Sequence, residues 1–160
     1  MVSHDRVQVI KPPNTLRSKV KVGGPGAVNS EALERAENII ASLGDEYLTW
    51  ARDDLKKLDE AFAKVKETPA NKEEIGAVYK IVHEIKGSGG SFGYDMITVV
   101  SDQLCKFIEK LESVGARESA VIQLHLDALK IVIAKGMKGD GGEAGRQLLQ
   151  GLRGVIAKFA

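Results

Sequence analysis

The feature that most constrains the fold is an apolar stripe that recurs along the chain. From Leu48 to Val65, and again from Ile97 to Val114, apolar residues alternate spacings of three and four. This spacing places the apolar side chains on one face of an α-helix. Aromatic residues make up only 5% of the chain, whereas the strands of a sandwich or barrel favour them. The pattern therefore predicts an all-α fold.

Capping residues and glycines predict the helix boundaries. Ser30 is the predicted N-cap of the first helix and Gly44 its stop, and Asn71 with Glu74 forms a capping-box pattern. The six expected helices cover about Glu31 to Leu43, after Asp45 to before Pro69, about Asn71 to Phe92, about Asp95 to Val114, about Arg117 to Lys135 and about Glu143 to Phe159. Short connections make neighbours antiparallel. We predict an up-down antiparallel four-helix bundle with additional flanking helices.

Residues 1–28 differ in composition from the rest of the chain. They carry five Lys or Arg residues against one Asp, and they hold three of the four prolines. We predict a flexible basic N-terminal arm over residues 1–28, with partner binding as its alternative role. Residues 29–160 are predicted to form a single helical bundle domain, because a chain of 160 residues suits one hydrophobic core.

Charge, cysteine content and hydropathy exclude several classes of protein. The net charge of +1 disfavours nonspecific nucleic-acid binding. Cys105 is the single cysteine, so no internal disulfide forms, and we interpret Cys105 as a buried packing residue. No segment has the roughly 18 apolar residues that span a membrane or resembles a secretion signal, so we expect a cytoplasmic protein without membrane contact. His125 is expected at the core boundary, with a hydrogen bond.

The segment Val82–Gly93 carries the candidate chemistry. In the third predicted helix, His83 lies about 130° from the centre of the apolar stripe, so its imidazole should face solvent, with Lys86 on the flank between solvent and core. A neutral imidazole nitrogen keeps a lone pair and can attack phosphorus. A lysine one turn away would offset the charge of a phosphoryl group. These residues indicate phosphotransfer.

Three glycines near the candidate site need a physical reason. Each costs roughly 0.5–1 kcal/mol relative to alanine inside a helix. Gly89 lies on the core face, where we expect it to let a neighbouring helix approach closely. Gly87 and Gly90 lie on the solvent face, where they gain nothing from packing. We interpret them as clearance that lets another macromolecule reach His83.

This pattern resembles that of histidine-containing phosphotransfer domains of two-component phosphorelays. The residues that carry the resemblance are His83, Lys86, Gly87 and Gly93, with Leu104-Cys105 and Leu111-Glu112 on the next helix. The resemblance implies that His83 accepts a phosphoryl group from an aspartyl phosphate of one receiver domain and passes it to another. It also implies that Lys86 stabilises the phosphate charge and that Gly87 provides steric clearance. Glu84-Ile85 departs from the usual small or polar residue followed by leucine.

The resemblance also implies partners. They are response-regulator receiver domains and a hybrid histidine kinase, and Lys80, Glu84 and Gly90 are the predicted docking residues. The receiver would supply Mg²⁺, and this chain, an expected monomer, would bring no metal or cofactor of its own. The alternative is a helical adaptor that binds signalling proteins without phosphotransfer. The chain lacks the length and the nucleotide motifs of a kinase, so a phosphocarrier is the expected role.

Overall fold

The computed structural model describes residues 29–159 together with Gly24. The predicted arm, residues 1–28, otherwise lies outside the described residues. The described part of the chain divides into two units between Asn38 and Ile39. In the first unit a helix begins after Asn29, whose side-chain oxygen accepts the backbone N–H of Glu31 at 3.0 Å. The predicted N-cap, Ser30, is therefore one residue too late.

The described residues form five α-helices and no strand. These are α1 (Ser30–Glu67), α2 (Lys72–Gly89), α3 (Asp95–Ile108), α4 (Ala116–Ala134) and α5 (Gly142–Phe159). A short 3-10 helix, Gly90–Phe92, follows α2. At the start of α2 the side chain of Asn71 accepts the N–H of Glu73. The predicted all-α fold is confirmed.

The predicted break at Gly44 is wrong, because α1 continues through it. Gly44 is buried, and its carbonyl oxygen accepts the Tyr94 hydroxyl at 3.4 Å. The next turn places Tyr47 in the core, where it is only 3% exposed. A glycine inside a helix costs about 1 kcal/mol relative to alanine, and burial of this turn offsets that cost, so the helix continues. The first two predicted helices are therefore one.

Within the second unit, the part of α1 from Ile39 onward forms a bundle with α2, α3 and α4. Helices α1 and α2 are antiparallel, since Tyr47 meets Ser88 near one end with 3.2 Å between their hydroxyl oxygens, and Val65 lines an interior gap with Ile75 near the other. Helix α4 returns to α1, where Lys130 Nζ lies 2.8 Å from Asp59 Oδ1. Helix α5 packs on α3 and α4 and buries Leu152. The flanking helix is thus the C-terminal one.

Helix α3 ends at Ile108 and not at Val114 as predicted. The backbone tightens there, because Lys110 donates to the carbonyl of Phe107 and Leu111 to that of Ile108. Val114 is nevertheless buried, at 2% exposure. Its backbone N–H donates to the carbonyl of Pro69 at 2.8 Å. A loop contact, not a continued helix, brings this residue to the core.

The close approach expected at Gly89 is confirmed. A Cβ atom on Gly89 would lie 3.0 Å from Ile97 Cβ and 3.0 Å from Thr98 Oγ1. Ile97 is fully buried and cannot move aside cheaply, because protein interiors are densely packed. This contact fixes how α2 and α3 sit against each other.

We therefore expect Gly89→Val to lower the free energy of unfolding by about 1–3 kcal/mol, the usual cost of overpacking a core. Urea unfolding followed by circular dichroism measures the change. Gly76→Val is the matched control, because a Cβ on Gly76 in the same helix meets nothing within 4 Å. Equal stability of the two variants would show that the α2–α3 contact is not tight.

His125 lies deeper than the sequence predicts. It is fully buried in α4, not at the core boundary, while the expected hydrogen bond is present: Nδ1 lies 2.8 Å from the carbonyl oxygen of Val121. Because a carbonyl only accepts, Nδ1 carries the proton. Within the described residues Nε2 has no partner. Burial lowers the pKa of His125 from its ordinary value of 6.5, since charging the ring would place an unpaired cation in the core.

This lowered pKa predicts a stability loss in mild acid. In the unfolded chain, His125 becomes protonated below about pH 6.5, whereas in the folded chain it stays neutral to lower pH. The free energy of unfolding should therefore fall as the pH drops below about 6.5, by at most about 1.4 kcal/mol per pH unit. Urea unfolding of wild type and His125→Met between pH 7.5 and 5 measures this loss. The variant should show a shallower decline, and parallel curves would contradict the assignment.

Candidate functional site

His83 lies on the exposed face of α2, as predicted. The opposite face of the helix is buried, because it carries the core residues Ile75, Val78, Val82, Ile85 and Gly89. Tyr79, one turn before His83, places its ring centroid 5.9 Å from that of the imidazole, with the planes tilted by 30°. The Tyr79 hydroxyl donates to Glu109 Oε1 on the segment after α3, at 2.7 Å. The imidazole therefore has an anchored aromatic neighbour.

Lys86 occupies the flank of α2, where its side chain is 35% exposed. Its Nζ lies 2.8 Å from Asp102 Oδ1 on α3, and Lys106 Nζ lies 2.6 Å from Asp102 Oδ2. Hydrogen bonds from Lys106 and Lys86 lower the pKa of Asp102, and the bond to Asp102 raises the pKa of Lys86. The candidate phosphate-binding lysine is thus already held by a carboxylate.

The glycines around His83 differ in their surroundings. Gly87 is exposed, and a Cβ there would meet nothing within 4 Å, as the clearance interpretation requires. Gly90 is not equally open. Its N–H donates to Thr98 Oγ1 at 2.9 Å, and a Cβ on Gly90 would lie 3.4 Å from the same oxygen. That distance is an ordinary contact, and any residue except proline could donate the same N–H, so packing does not require a glycine at this exposed position, as predicted.

Thr98 fastens the end of α2 to α3. Its hydroxyl donates to the carbonyl oxygen of Lys86 at 3.0 Å while it accepts the Gly90 N–H. Gly93 then ends the turn in the left-handed conformation, with φ of 80°, which glycine adopts without steric cost. The helical turn that carries Lys86 is therefore held by a hydrogen bond from the neighbouring helix.

An aromatic cluster follows the site at the end of α2. Phe92 stacks on Tyr47 of α1 with 4.8 Å between ring centroids, and the edge of Trp50 meets Phe92 at 6.2 Å. Trp50 is still 49% exposed. Lys80 and Glu84, the other predicted docking residues, are also exposed. Charged side chains are thus exposed on α2 around His83, and an exposed tryptophan of α1 lies beside the segment that follows α2.

Comparison with known families supports the resemblance noted in the sequence. The family model described as Hpt domain matches residues 42–132, more than half of the chain. This chain belongs to the Hpt domain family. Hpt domains act in histidine phosphotransfer within phosphorelays and interact with receiver and kinase domains of two-component systems. Neither the curated proteins nor the solved structures gave a match to the chain.

The match covers the bundle of this Hpt domain and stops within α4, before α5.

In residues 29–159, no three His, Cys, Asp or Glu side chains cluster in a way that could hold a metal ion. No helix in that range has the length and apolar character needed to cross a bilayer. Cys105 is buried as predicted, and burial raises the pKa of its thiol.

Sequence reasoning missed three residues at the site of this Hpt domain. They are Tyr79, Thr98 and Asp102, and each reaches the α2 site region through a side-chain contact. Tyr79 had a local signal, because residues four apart share a helix face. Thr98 and Asp102 lie on α3, and their partners depend on the register of two packed helices. Periodicity within one helix does not determine that register.

Proposed function

We propose that this Hpt domain carries phosphoryl groups on His83 between receiver domains. The observation that supports the proposal is the combination of an exposed imidazole, an open position at Gly87 and a lysine one turn away on the same helix. An incoming receiver must bring its aspartyl phosphate to the imidazole nitrogen within bonding reach. A side chain at position 87 would stand in that path, and none is present.

The proposed reaction is a reversible phosphoryl transfer. The lone pair of an imidazole nitrogen of His83 attacks phosphorus, the acyl P–O bond of the donor receiver breaks, and its aspartate carboxylate leaves. In the second transfer the aspartate of another receiver attacks phosphorus and the P–N bond breaks. We propose that the receivers supply the Mg²⁺ for both steps. A hybrid histidine kinase would carry the donor receiver.

The lysines near His83 suit an anionic phosphoryl group. Lys86 is one turn from His83 and would offset the added negative charge. Lys80 is exposed one turn before His83, and Glu84 is exposed directly after it, where they would contact a docked receiver and influence partner choice. Contacts of this kind must exchange quickly, so we expect a modest interface, near or below about 1,200 Å².

The test is phosphoryl transfer from a panel of receivers that carry labelled phosphate. Wild-type protein should acquire label that is labile in acid and stable in base, as a phosphoramidate is. Trypsin, used at alkaline pH, releases residues 81–86, a peptide whose single histidine is His83. Label in this peptide supports the proposal, and label on His125 or elsewhere contradicts it. No label from any receiver would instead favour the helical adaptor.

A further inference from the structure

Asp102 joins Lys86 to a second lysine through two ion pairs. Asp102 contacts two lysines, with 2.8 Å to Lys86 Nζ and 2.6 Å to Lys106 Nζ. Lys86 comes from α2, the helix of His83, whereas Asp102 and Lys106 share α3. The network therefore joins the phosphotransfer helix to its neighbour through one carboxylate.

Asp102 faces two lysine side chains, and each of these lysines faces one carboxylate oxygen. A phosphoryl group on His83 would add a second anion within reach of Lys86. The ammonium group of Lys86 has three N–H donors, but it already lies 2.8 Å from Asp102 Oδ1, and moving it toward a phosphoryl group on His83 lengthens that bond. The free energy that Lys86 gives to phosphohistidine is therefore reduced by what it loses at Asp102.

The backbone at this point does not relieve the competition. Thr98 holds the carbonyl of Lys86 at 3.0 Å, and Gly89 packs against Ile97 one turn later. The helical turn that carries Lys86 is thus fixed against α3. What can move is the flexible lysine side chain, between Asp102 and the phosphoryl group.

We propose that Asp102 is a positioning residue which holds Lys86 in the unphosphorylated protein and competes with the phosphoryl group for it. Lys106 moderates the competition, because it gives Asp102 an alternative cation when Lys86 leaves. Asp102 and Lys106 therefore set how strongly the protein stabilises phosphohistidine. This inference rests on the proposed function, since it requires a phosphoryl group on His83.

The test needs no protein partner. Phosphoimidazole transfers its phosphoryl group to His83: a P–N bond forms to the protein, the P–N bond of the reagent breaks, and imidazole leaves with the proton that His83 gives up. Bonds of the same type form and break, so the equilibrium constant compares the protein site with free imidazole. ³¹P NMR of the intact protein, at fixed pH and low salt, measures both phosphorylated species.

Substitutions of Asp102 and of Lys106 should change this equilibrium constant in opposite directions. We expect Asp102→Asn to raise it by about two- to fivefold, the range of partly exposed ion pairs. Lys106→Gln should lower it by about twofold, because Asp102 then binds Lys86 more strongly. In a Lys86→Gln background, both effects should largely disappear, as a double-mutant cycle requires for coupled residues.

The control is Asp53→Asn, which breaks an exposed pair on α1 with Lys56 at 3.0 Å and should leave the equilibrium constant unchanged. An Asp102→Asn effect that persists in full without Lys86 would be simple repulsion between carboxylate and phosphate, and it would overturn the inference. An unchanged equilibrium constant in a phosphorylated Asp102→Asn protein would also overturn the inference. If wild type takes up no phosphoryl group at His83, the proposed function fails, and this inference fails with it.

Discussion

His83→Gln is expected to abolish phosphoryl acceptance and to leave the fold almost unchanged. A glutamine amide has no nucleophilic nitrogen lone pair, so no phosphoramidate can form. His83 is exposed on α2 and contributes nothing to the buried core. Substitutions at such positions change the free energy of unfolding by about 0.5 kcal/mol or less. Labelled transfer from a phosphorylated receiver measures the first effect, and urea unfolding measures the second.

The second histidine within residues 29–159 is a matched control for this prediction. His125→Met should alter stability and its dependence on pH while phosphoryl acceptance persists, because His125 is buried in α4 away from solvent. The two histidines should therefore separate function from stability. A large loss of stability in His83→Gln would show that His83 has a structural role, and retained phosphorylation would place the acceptor elsewhere.

A large side chain at position 87 should block transfer to and from receivers. The backbone at Gly87 borders open space, so alanine, valine and leucine can be accommodated there and should not destabilise the helix. A docked receiver, however, must bring phosphorus to the imidazole one turn away. A displacement of about 1 Å from the reactive geometry can reduce a rate on the order of 100-fold. We expect Gly87→Leu to reach that loss, with smaller losses for valine and alanine.

Rates of transfer between a phosphorylated receiver and each variant test this series. Gly154→Leu is the control, because Gly154 on α5 also borders open space and α5 does not pack on α2 among the described residues. Phosphoimidazole should still phosphorylate Gly87→Leu, since the small reagent needs no docking surface. Unchanged transfer rates from receivers to Gly87→Leu would refute the role of Gly87 as clearance.

The fold was predictable where one helix decides the outcome by itself. The apolar stripe of the second predicted helix correctly placed Leu55 and Leu58 in the core. The angular position of His83 on its own helix correctly predicted that it is exposed. Gly44 was misread because a glycine stops a helix only when no tertiary contact continues it. The helix end predicted at Val114 was wrong for a related reason: Val114 is buried as predicted, but it lies in a loop whose backbone N–H donates to Pro69. Local patterns do not contain those contacts.

The candidate site, like the fold, was predictable only as far as the pattern within one helix determines it. His83, Lys86 and Gly87 follow from residue type and spacing on one helix, and the structure places them as expected. The ion pair of Lys86 with Asp102 depends on the register between α2 and α3, which the contact at Gly89 fixes. A sequence pattern could identify the lysine but not the carboxylate that holds it.

The position of α5 has a practical consequence for binding assays. This helix packs on α3 and α4, and its residues Gln147 and Gly154 are exposed. A surface tether attached at either position would therefore sit on a helix that does not contact α2 among the described residues. Receivers in solution could then reach His83 on an immobilised protein, and weak, rapidly exchanging complexes could be followed without labelling either partner.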